Sequence, residues 1–473
     1  MRLLLVSHRY PPVHAAGTEL YTAQLAAGLV RRGHEVRVFT AEKDISAPDL
    51  SVRERELDGV RVFELVNNLH YQDPRQSWEL PAAAEAFARV VDEWKPDLIH
   101  FQHLLHFSVG CAEVARKSGA GVVMTLHDYW LQCARFGQRI HVEGTVCYEI
   151  DRARCAQCLS HFKYAQTKAE QKLAGWISGL KEKTGIDLGP VARGAGRALS
   201  RGTERALSRM AVEDATARDQ LSEELWTARL AERDYDFRTR LLPSIDRFLS
   251  PSAFLRDRFV EWGMQPEHIE HLATGVDLEA FGGLPREPRG DIVRIAFLGS
   301  MIPAKGPEVL LEAWSRLSTD QRSRAQLELF GPAAQPDYAR RLESLAQACG
   351  AELRGPLQRE AVAAQLVRTD LLVVPSVWFE NAPLVILEAL AARTPLLVSR
   401  LGGMAELVQS GEHGLHFAPG DADDLARNLG ELIDRPERLD DFYRSGERPP
   451  TLDEMHDAVF AVYERVLGER AAR

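Results

Sequence analysis

Short apolar runs alternate with longer amphipathic segments along the first half of the chain. Residues 3–7 form the first run, and residues 18–32 then carry leucines at helical spacing until Gly33, a residue type that commonly follows a helix C-terminus. Further apolar runs follow at residues 36–40, 97–101, 122–126 and 247–250. Continuous apolar strands separated by helix-length segments predict a parallel sheet whose two faces are covered by helices.

The second half of the chain repeats this alternation. Predicted strands lie at residues 293–298, 327–330, 371–374 and 396–399, and the predicted helices between them include 308–317 and 383–392. Residues 282–290 are rich in glycine and proline and form the predicted linker. Two doubly wound sheets in one chain are expected to leave a ligand-binding cleft at the carboxyl ends of their strands.

These patterns predict an α/β fold of two doubly wound, Rossmann-like domains that face a cleft. The N-terminal domain would comprise residues 1–282 and the C-terminal domain residues 283–448. The remainder, 449–473, is predicted to form a helix that packs back on the N-terminal domain.

Residues 162–242 do not follow the alternation and are predicted to be a helical insertion in the N-terminal domain. Their first part, 163–209, is basic, whereas 213–236 is richer in acidic residues. One interpretation is a solvated helical hairpin. The other is a basic amphipathic surface, with an apolar patch around Trp176 that contacts a membrane or a lipid-linked acceptor.

Composition narrows the classes of function. The chain has 473 residues, of which 45% are hydrophobic and 27% charged, and this suits two or three globular domains. The formal net charge of -10 argues against general nucleic-acid binding, because phosphate affinity needs a basic surface. No apolar stretch reaches the length of about 20 residues that a transmembrane helix needs, and the first apolar run is too short for a signal peptide. We therefore expect a cytoplasmic protein, peripheral at the inner membrane surface if residues 163–209 bind lipid.

Four of the six cysteines, Cys133, Cys147, Cys155 and Cys158, lie close together in the sequence. The last two have the spacing that lets both thiolates bind one tetrahedral ion. In a reducing cytoplasm this clustering favours a structural zinc site, which would have no open position for catalysis. Such a site would pin the loop 129–159 on the acceptor side. Unrelated buried thiols and disulfides are the alternatives.

The stretch 375–389 carries the most informative chemistry. It begins at the end of a predicted buried strand and opens a helix, in which Pro383 suits the first turn. Free backbone N–H groups and the helix dipole at such an N-terminus favour an anionic ligand. Glu388, two turns beyond Glu380, could accept hydrogen bonds from two vicinal hydroxyls, as a ribose offers. Taken alone, a helix cap and a solvated charge are the simpler interpretations of these two glutamates.

This stretch resembles glycosyltransferase family 4, whose mark is a pair of glutamates separated by seven residues, here Glu380 and Glu388. The resemblance extends to the loop 299–306, which follows the first predicted strand of the C-terminal domain. Smaller matching segments occur at 402–408, 411–414, 275–277, 10–12, 17–19 and 125–130. Together they span nearly the whole chain except residues 162–242, and their order makes the resemblance specific.

The resemblance implies the GT-B fold and a retaining, nucleotide-sugar-dependent transferase that needs no catalytic metal. It assigns the donor diphosphate to Lys305, in a loop that also contains Gly299 and Ser300, and the donor ribose to Glu388. The acceptor would be a saccharide or a lipid-linked saccharide, in the synthesis of cell-surface polysaccharide or glycoconjugate. Catalysis would then rest on positioning and on stabilising the departing diphosphate.

The transferred sugar, by the same resemblance, would be bound by Glu380 and by the backbone at the helix start. The residues of that start are Asn381, Ala382, Pro383 and Leu384. Gly17 would let the backbone of the first loop approach the donor, and His127 would contact the sugar from the N-terminal domain. His127, Glu380 and Lys305 would form the catalytic group.

The chain departs from the family pattern at two positions. Many members carry arginine where this chain has Ser300, and that arginine helps the lysine to bind the phosphates. Another cation would have to replace it, or the donor would bind more weakly. The second departure is Ala16, where a further glycine is common.

The sequence is also compatible with other functions, and several further polar residues have simpler interpretations. A phosphorylase or an epimerase on the same fold, or a degenerate sugar- or nucleotide-binding scaffold without activity, are the alternative functions. His8, His100, His103 and His106 lie near predicted strand ends without metal-ligand spacing, so we interpret them as core or rim residues. Asp128 is equally consistent with a base for the acceptor hydroxyl and with a cap of the following segment.

Overall fold

The protein is described by a computed structural model that covers residues 1–14, 16–161, 165, 222–333, 335–442 and 448–472. The chain divides into two compact units. The first comprises Met1–Gly137, Tyr148–Leu249 and Phe460–Arg473, and the second Gln138–Cys147 and Ser250–Val459. The basic segment 163–209 and Trp176 lie outside the described residues, so the two interpretations of the insertion stay predictions.

The first sheet contains eight strands in the order β3-β4-β2-β1-β5-β6-β7-β8. They are β1 (Arg2–Ser7), β2 (Glu35–Glu42), β3 (Val52–Leu57), β4 (Val60–Val66), β5 (Leu98–Phe101), β6 (Gly121–Thr125), β7 (Arg247–Ser250) and β8 (Ile269–His271). The five apolar-run strands of the prediction are present, and the central ones are fully buried, as expected for strands covered on both faces.

This sheet is mixed, whereas the sequence predicted a parallel one. Strand β3 pairs antiparallel with β4, and the chain turns between them at Asp58 and Gly59. Both turn residues have positive φ, 50° and 77°, as a two-residue hairpin turn of the type I′ requires. The sequence pattern missed β3 because its four central residues are charged and the strand is largely exposed. Strands β2, β1, β5, β6 and β7 pair parallel, as predicted, and β4, which the sequence pattern also missed, pairs parallel with β2.

The second sheet is parallel throughout and has the order β11-β10-β9-β12-β13-β14. Its strands are β9 (Val293–Leu298), β10 (Ala325–Phe330), β11 (Glu352–Gly355), β12 (Leu371–Val374), β13 (Leu396–Ser399) and β14 (Gly414–Phe417). This is the doubly wound order 3-2-1-4-5-6, in which the direction of winding reverses between β9 and β12. Ligands of such sheets bind outside the carboxyl ends of the strands at that reversal. The loops after β9 and β12 are therefore the place to look for a site.

Helices cover these sheets. In the first unit they are Gly17–Arg31, Pro81–Trp94, Val109–Lys117, Arg152–Ser160 and Glu223–Asp236. In the residues that follow they are Ala253–Glu261, Pro307–Ser315, Thr319–Ser323, Pro336–Cys349, Val362–Arg368, Leu384–Ala391, Gly402–Leu407, Ala422–Asp434 and Leu452–Ala471. Within the described part of the chain, none of the helices combines the length and the apolar character needed to cross a membrane.

The division into units falls near residue 250, whereas the predicted domain boundary was residue 282. Contacts within the second unit explain this. Both oxygens of Glu406 accept hydrogen bonds, each 2.8 Å long, from the first two N–H groups of the helix Ala253–Glu261. Val276 N also donates to Pro450 O over 2.9 Å. The final helix is shared, and from Phe460 onward its residues belong to the first unit.

Only the end of the predicted insertion is described. The helix Glu223–Asp236 begins at Ser222, whose hydroxyl accepts a hydrogen bond from Leu225 N and so satisfies a free N–H group of the first turn. It packs on the helix Arg152–Ser160 through an apolar cluster. That cluster consists of Ala156, Leu159 and Trp226, with Ala134 and Leu230 beside them.

Candidate functional site

The loop after β9 is held tightly against its neighbours. Gly299 N donates to Phe330 O over 3.0 Å, and Met301 N donates to Pro332 O over 2.9 Å. The loop ends at Gly306, which has a φ of 68° and could carry no side chain, since a Cβ there would lie 2.0 Å from Pro375 O. The loops after β9 and β12 thus meet at a position where the backbone geometry requires glycine.

Lys305 lies in this loop, one residue before that glycine. It is the last lysine of the chain, and from residue 222 onward every other permanently charged cationic side chain is an arginine. Its Nζ donates to Oε1 of Glu380 over 2.6 Å and lies 5.5 Å from the centre of the Trp378 ring. The structure therefore brings together two of the three residues predicted to form the catalytic group.

Glu380 is buried, and donors surround one of its oxygens. Besides Lys305, Ser376 Oγ donates to Oε1 over 2.8 Å and Trp378 Nε1 donates over 2.7 Å. No described residue donates to Oε2, which leaves that oxygen as the acceptor for a ligand. Three donors on one oxygen fix the orientation of the carboxylate before any ligand arrives.

Glu388, in the helix that follows Glu380, is bound in a comparable way. It lies within the helix Leu384–Ala391, is 3% exposed, and accepts a hydrogen bond on Oε1 from Nη1 of Arg359. Burial raises the pKa of Glu388, and the Arg359 guanidinium opposes this rise. Sequence reasoning missed Arg359, because nothing in its local sequence marks it as a partner of a residue on another helix.

The residues between the two glutamates form a fixed loop that leads into the helix. Gly403 N donates to Glu380 O over 2.7 Å, and a Cβ on Gly403 would lie 1.6 Å from Asn381 O. Pro383 caps the helix in an extended conformation, with ψ of 120°, and the helix begins at Leu384. The prediction that Pro383 lies in the first turn was wrong by one residue, because its ψ is not helical.

Ser300 and Gly17, also predicted for the donor site, have few contacts that would indicate a role. Ser300 is exposed, and its carbonyl accepts a hydrogen bond from Ile302 N over 2.9 Å. Gly17 is the first residue of its helix, and a Cβ there would meet no atom within 4 Å. Packing in the described part of the chain therefore does not require glycine at this position.

His127 lies in the first unit, directly after β6 and Leu126. Its Nε2 is 2.8 Å from Oε1 of Gln102, and the edge of its ring meets the ring of Tyr21 at a centroid distance of 4.8 Å. Burial lowers the pKa of His127 to about 3, so the imidazole is neutral near pH 7. A neutral imidazole can exchange hydrogen bonds with hydroxyl groups but adds no positive charge.

Three further histidines gather near this point, which sequence reasoning did not foresee. The ring centroids of His8 and His103 are 4.7 Å apart, and those of His8 and His106 are 6.4 Å apart. His8 Nε2 also lies 3.4 Å from Oε1 of Glu19. Burial, with the neighbouring cations and imidazoles, lowers the pKa of His8 well below its usual value. We call His8, His103, His106 and His127 the histidine cluster.

His100 and Asp128 have the simpler roles that the sequence left open. His100 is fully buried between Tyr463 Oη at 2.7 Å and Thr125 Oγ1 at 2.8 Å, as a core residue would be. Asp128 Oδ1 accepts from Trp130 N over 2.7 Å, which is the predicted capping contact. Its Oδ2 lies 3.1 Å from His103 Nε2, whose other nitrogen accepts from the backbone.

The clustered cysteines are not joined to one another by disulfides. None of the six cysteines forms one in the structure. Cys155 and Cys158 lie on the helix Arg152–Ser160, and the Arg135 guanidinium approaches Cys158 Sγ at 3.9 Å. Across the residues that the structure describes, no three Cys, His, Asp or Glu side chains are arranged to hold an ion. Zinc at Cys133, Cys147, Cys155 and Cys158 stays a prediction from their spacing.

Family models match both halves of the chain. The model for "Glycosyl transferases group 1" matches residues 287–448, and the model for "Glycosyl transferase 4-like domain" matches residues 16–154. The first match contains the loops after β9 and β12 with both glutamates, and the second contains His127.

Named proteins and solved structures are similar over much of the chain. An MMP alpha-(1->4)-mannosyltransferase of Mycolicibacterium hassiacum is 29% identical over 52% of this chain and 61% of its own length. A glycogen synthase of Mycobacterium tuberculosis is 25% identical over 92% of this chain and 87% of its own.

Two solved structures resemble the fold over nearly the full length. Sucrose-phosphate synthase from Thermosynechococcus elongatus has a TM-score of 0.61 at 18% identity, covering 99% of both chains. The Anabaena protein HepE, solved with UDP and glucose, has a TM-score of 0.58 at 15% identity, covering 98% of this chain and 99% of its own. With the doubly wound sheets and the matching motifs, these findings confirm the predicted family: the chain is a GT-B protein of the group 1, family 4 glycosyltransferases.

Proposed function

We propose that this chain is a retaining glycosyltransferase that moves a sugar from a nucleoside-diphosphate sugar to a saccharide or lipid-linked saccharide acceptor, in the synthesis of cell-surface polysaccharide or glycoconjugate. One observation carries the proposal. At the reversal point of the second sheet, Lys305 and Glu380 lie on adjoining loops and Glu388 lies on the helix that follows, and each of the two buried glutamates has one oxygen held by a cation. Family membership and the neighbour that binds UDP and glucose support the same donor class.

Lys305 would bind the donor diphosphate in this proposal. Its Nζ carries three donors and uses one on Glu380, so the others can reach phosphate oxygens without breaking that pair. The free N–H groups at the start of the helix Leu384–Ala391 add a second source of positive potential. Together these groups would stabilise the charge that develops on the diphosphate as it leaves.

Glu380 would bind the transferred sugar through Oε2, the oxygen to which no described residue donates a hydrogen bond. The backbone from Asn381 to Leu384 would contact the same sugar, and Gly403 holds that backbone in place. His127, neutral near pH 7, would contribute a hydrogen bond to a sugar hydroxyl without adding positive charge. Both groups orient the sugar and leave the chemistry to the substrates.

The chemical step then needs no protein nucleophile. The bond between the anomeric carbon and the diphosphate oxygen breaks, and the acceptor oxygen bonds to the same face of that carbon. The acceptor proton passes to the departing diphosphate, so that charge and atoms balance. The contribution of the protein would be preorganised positive charge and fixed geometry.

A donor screen with a matched variant tests the proposal. The unsubstituted protein should be stabilised against heat by at least one nucleoside diphosphate or its sugar derivative, since a ligand that binds only the folded state raises Tm. Glu388→Ala should lose most of that shift and stay folded, with Glu343→Ala, on a helix of the same unit, as the control. An unchanged shift in Glu388→Ala would refute the ribose role.

A further inference from the structure

The two glutamates of the donor site share one arrangement. In each, a protein cation donates to Oε1, and no described residue donates to Oε2. For Glu380 the cation is Lys305, which belongs to the loop after β9. For Glu388 it is Arg359, which lies in a short 3-10 turn, Arg359–Ala361, before the helix Val362–Arg368.

We propose that Arg359 is a positioning residue of the nucleotide site, which holds Oε1 of Glu388, fixes the carboxylate and leaves Oε2 to accept a ribose hydroxyl. This inference rests on the proposed function, in which Glu388 binds the donor ribose. It assigns a role to a residue that the sequence did not single out.

Burial makes the cation necessary. The side chain of Glu388 is 5% exposed, and an ionised carboxylate that has lost water is stable only with a partner. Arg359 supplies that partner. The arginines on either side in the sequence pair elsewhere, Arg354 with Glu328 and Arg368 with Glu287. Without Arg359 the carboxyl group would be protonated more readily, and a protonated oxygen is a weaker acceptor for a hydroxyl group.

Arg359 is the more exposed member of the ion pair with Glu388. The Arg359 side chain is 45% exposed, whereas Glu388 is locked in a helix core. Arg359 therefore comes to a carboxylate that is already in place. The competing possibility is that the guanidinium occupies the position of the ribose and must leave when a nucleotide binds. The two possibilities predict opposite effects of removing the guanidinium.

The experiment measures the affinity of the full chain for a ribonucleoside diphosphate and for its 2′,3′-dideoxy form. The base is whichever of UDP, GDP or ADP raises Tm most. The unsubstituted protein should prefer the ribonucleotide. Arg359→Gln should bind the ribonucleotide about tenfold more weakly, as expected for one lost charge-assisted hydrogen bond, and should bind the dideoxy form as before. Arg359→Lys should restore part of the preference.

Arg354→Gln is the matched control. Arg354 is 47% exposed and forms ion pairs with Glu328 and Glu352 on the same sheet, so its loss costs a comparable surface interaction. It should leave both affinities unchanged. Tighter ribonucleotide binding in Arg359→Gln, an unchanged preference, or an equal loss for both nucleotides would overturn the inference.

Glu388→Gln separates this inference from the proposed function. If Glu388→Gln loses the ribose preference and Arg359→Gln keeps it, only the role of Arg359 fails. If the unsubstituted protein shows no ribose preference, both the ribose role of Glu388 and the positioning role of Arg359 are wrong.

Discussion

The family motifs of the two units differ in charge: those of the second unit contain fixed cations, and those of the first contain a neutral histidine. In the second unit, Lys305 and Arg359 are paired with buried carboxylates. In the first unit, His127 and the nearby His106 are kept neutral by burial. The contrast fits the chemistry of a nucleotide sugar, whose diphosphate needs fixed positive charge and whose sugar needs hydrogen bonds without charge.

The largest effect is expected from removing the charge of the second unit. Lys305→Ala should lower kcat/KM by about a hundredfold or more, because a preorganised cation at the leaving group contributes several kcal/mol to the transition state. The measurement is nucleoside diphosphate release under steady-state conditions. Lys117→Ala, at an exposed helix end of the first unit, is the control and should keep full activity. Activity in Lys305→Ala within threefold of the control would contradict the role of this lysine.

Glu380→Gln tests the acceptor oxygen beside that lysine. The amide keeps the shape but presents a weaker acceptor to the sugar, so kcat should fall by about ten- to a hundredfold while nucleoside diphosphate affinity changes little. The split between kcat and nucleotide affinity is the informative readout. A variant that lost nucleotide affinity and kept kcat would place Glu380 at the nucleotide instead.

The neutral histidines predict a stability effect in the first unit. Burial lowers the pKa of His100, His106 and His127 to about 3, below the unfolded value of about 6.5. Because the folded pKa is depressed, each stabilises the fold fully above about pH 6.5, and this stability is lost as pH falls toward the folded pKa. For the fully buried His100 the loss at pH 5 is about 2 kcal/mol.

Thermal unfolding between pH 8 and pH 5 measures this effect. His100→Gln should reduce the dependence of Tm on pH, even though it removes hydrogen bonds and lowers Tm at every pH. His268→Gln, at an exposed position of the second unit, should leave the dependence unchanged. Equal slopes in all three proteins would show that the buried imidazoles do not stay neutral as described.

The smallest effect is expected from adding charge to the second unit. Ser300 is exposed, so Ser300→Arg has room to place a guanidinium beside the loop of Lys305. It should tighten nucleoside diphosphate binding by about three- to tenfold, with nucleoside affinity unchanged. Ser315→Arg, on the following helix, is the control. Tightening of the nucleoside as well would point to a general charge effect.

Much of the fold could be predicted because buried parallel strands leave a plain trace in the sequence. The predicted strands at 247–250, 293–298, 371–374 and 396–399 coincide with β7, β9, β12 and β13. The hairpin of β3 and β4 could not be predicted in the same way, since its edge strand is charged and exposed. Its turn, Asp58-Gly59, was the signal available.

In the candidate site, too, local sequence patterns indicated some residues and could not indicate others. Lys305 and Glu380 lie on loops that directly follow buried strands, so a linear pattern indicated them. The contact between Arg359 and Glu388 joins separate helices, and the gathering of His8, His103 and His106 joins separate loops. Such contacts depend on tertiary packing. The zinc site indicated by the cysteine spacing rests on a local pattern alone and stays a prediction.

Donor turnover is the most direct test of the proposed transferase activity. The measurement is release of nucleoside diphosphate from a panel of UDP-, GDP- and ADP-sugars by the full chain and by Lys305→Ala. We expect release from at least one donor by the unsubstituted chain and near-complete loss in the variant. If no donor is turned over and none raises Tm, the chain is a family member that does not use nucleotide sugars, and the proposed function is wrong.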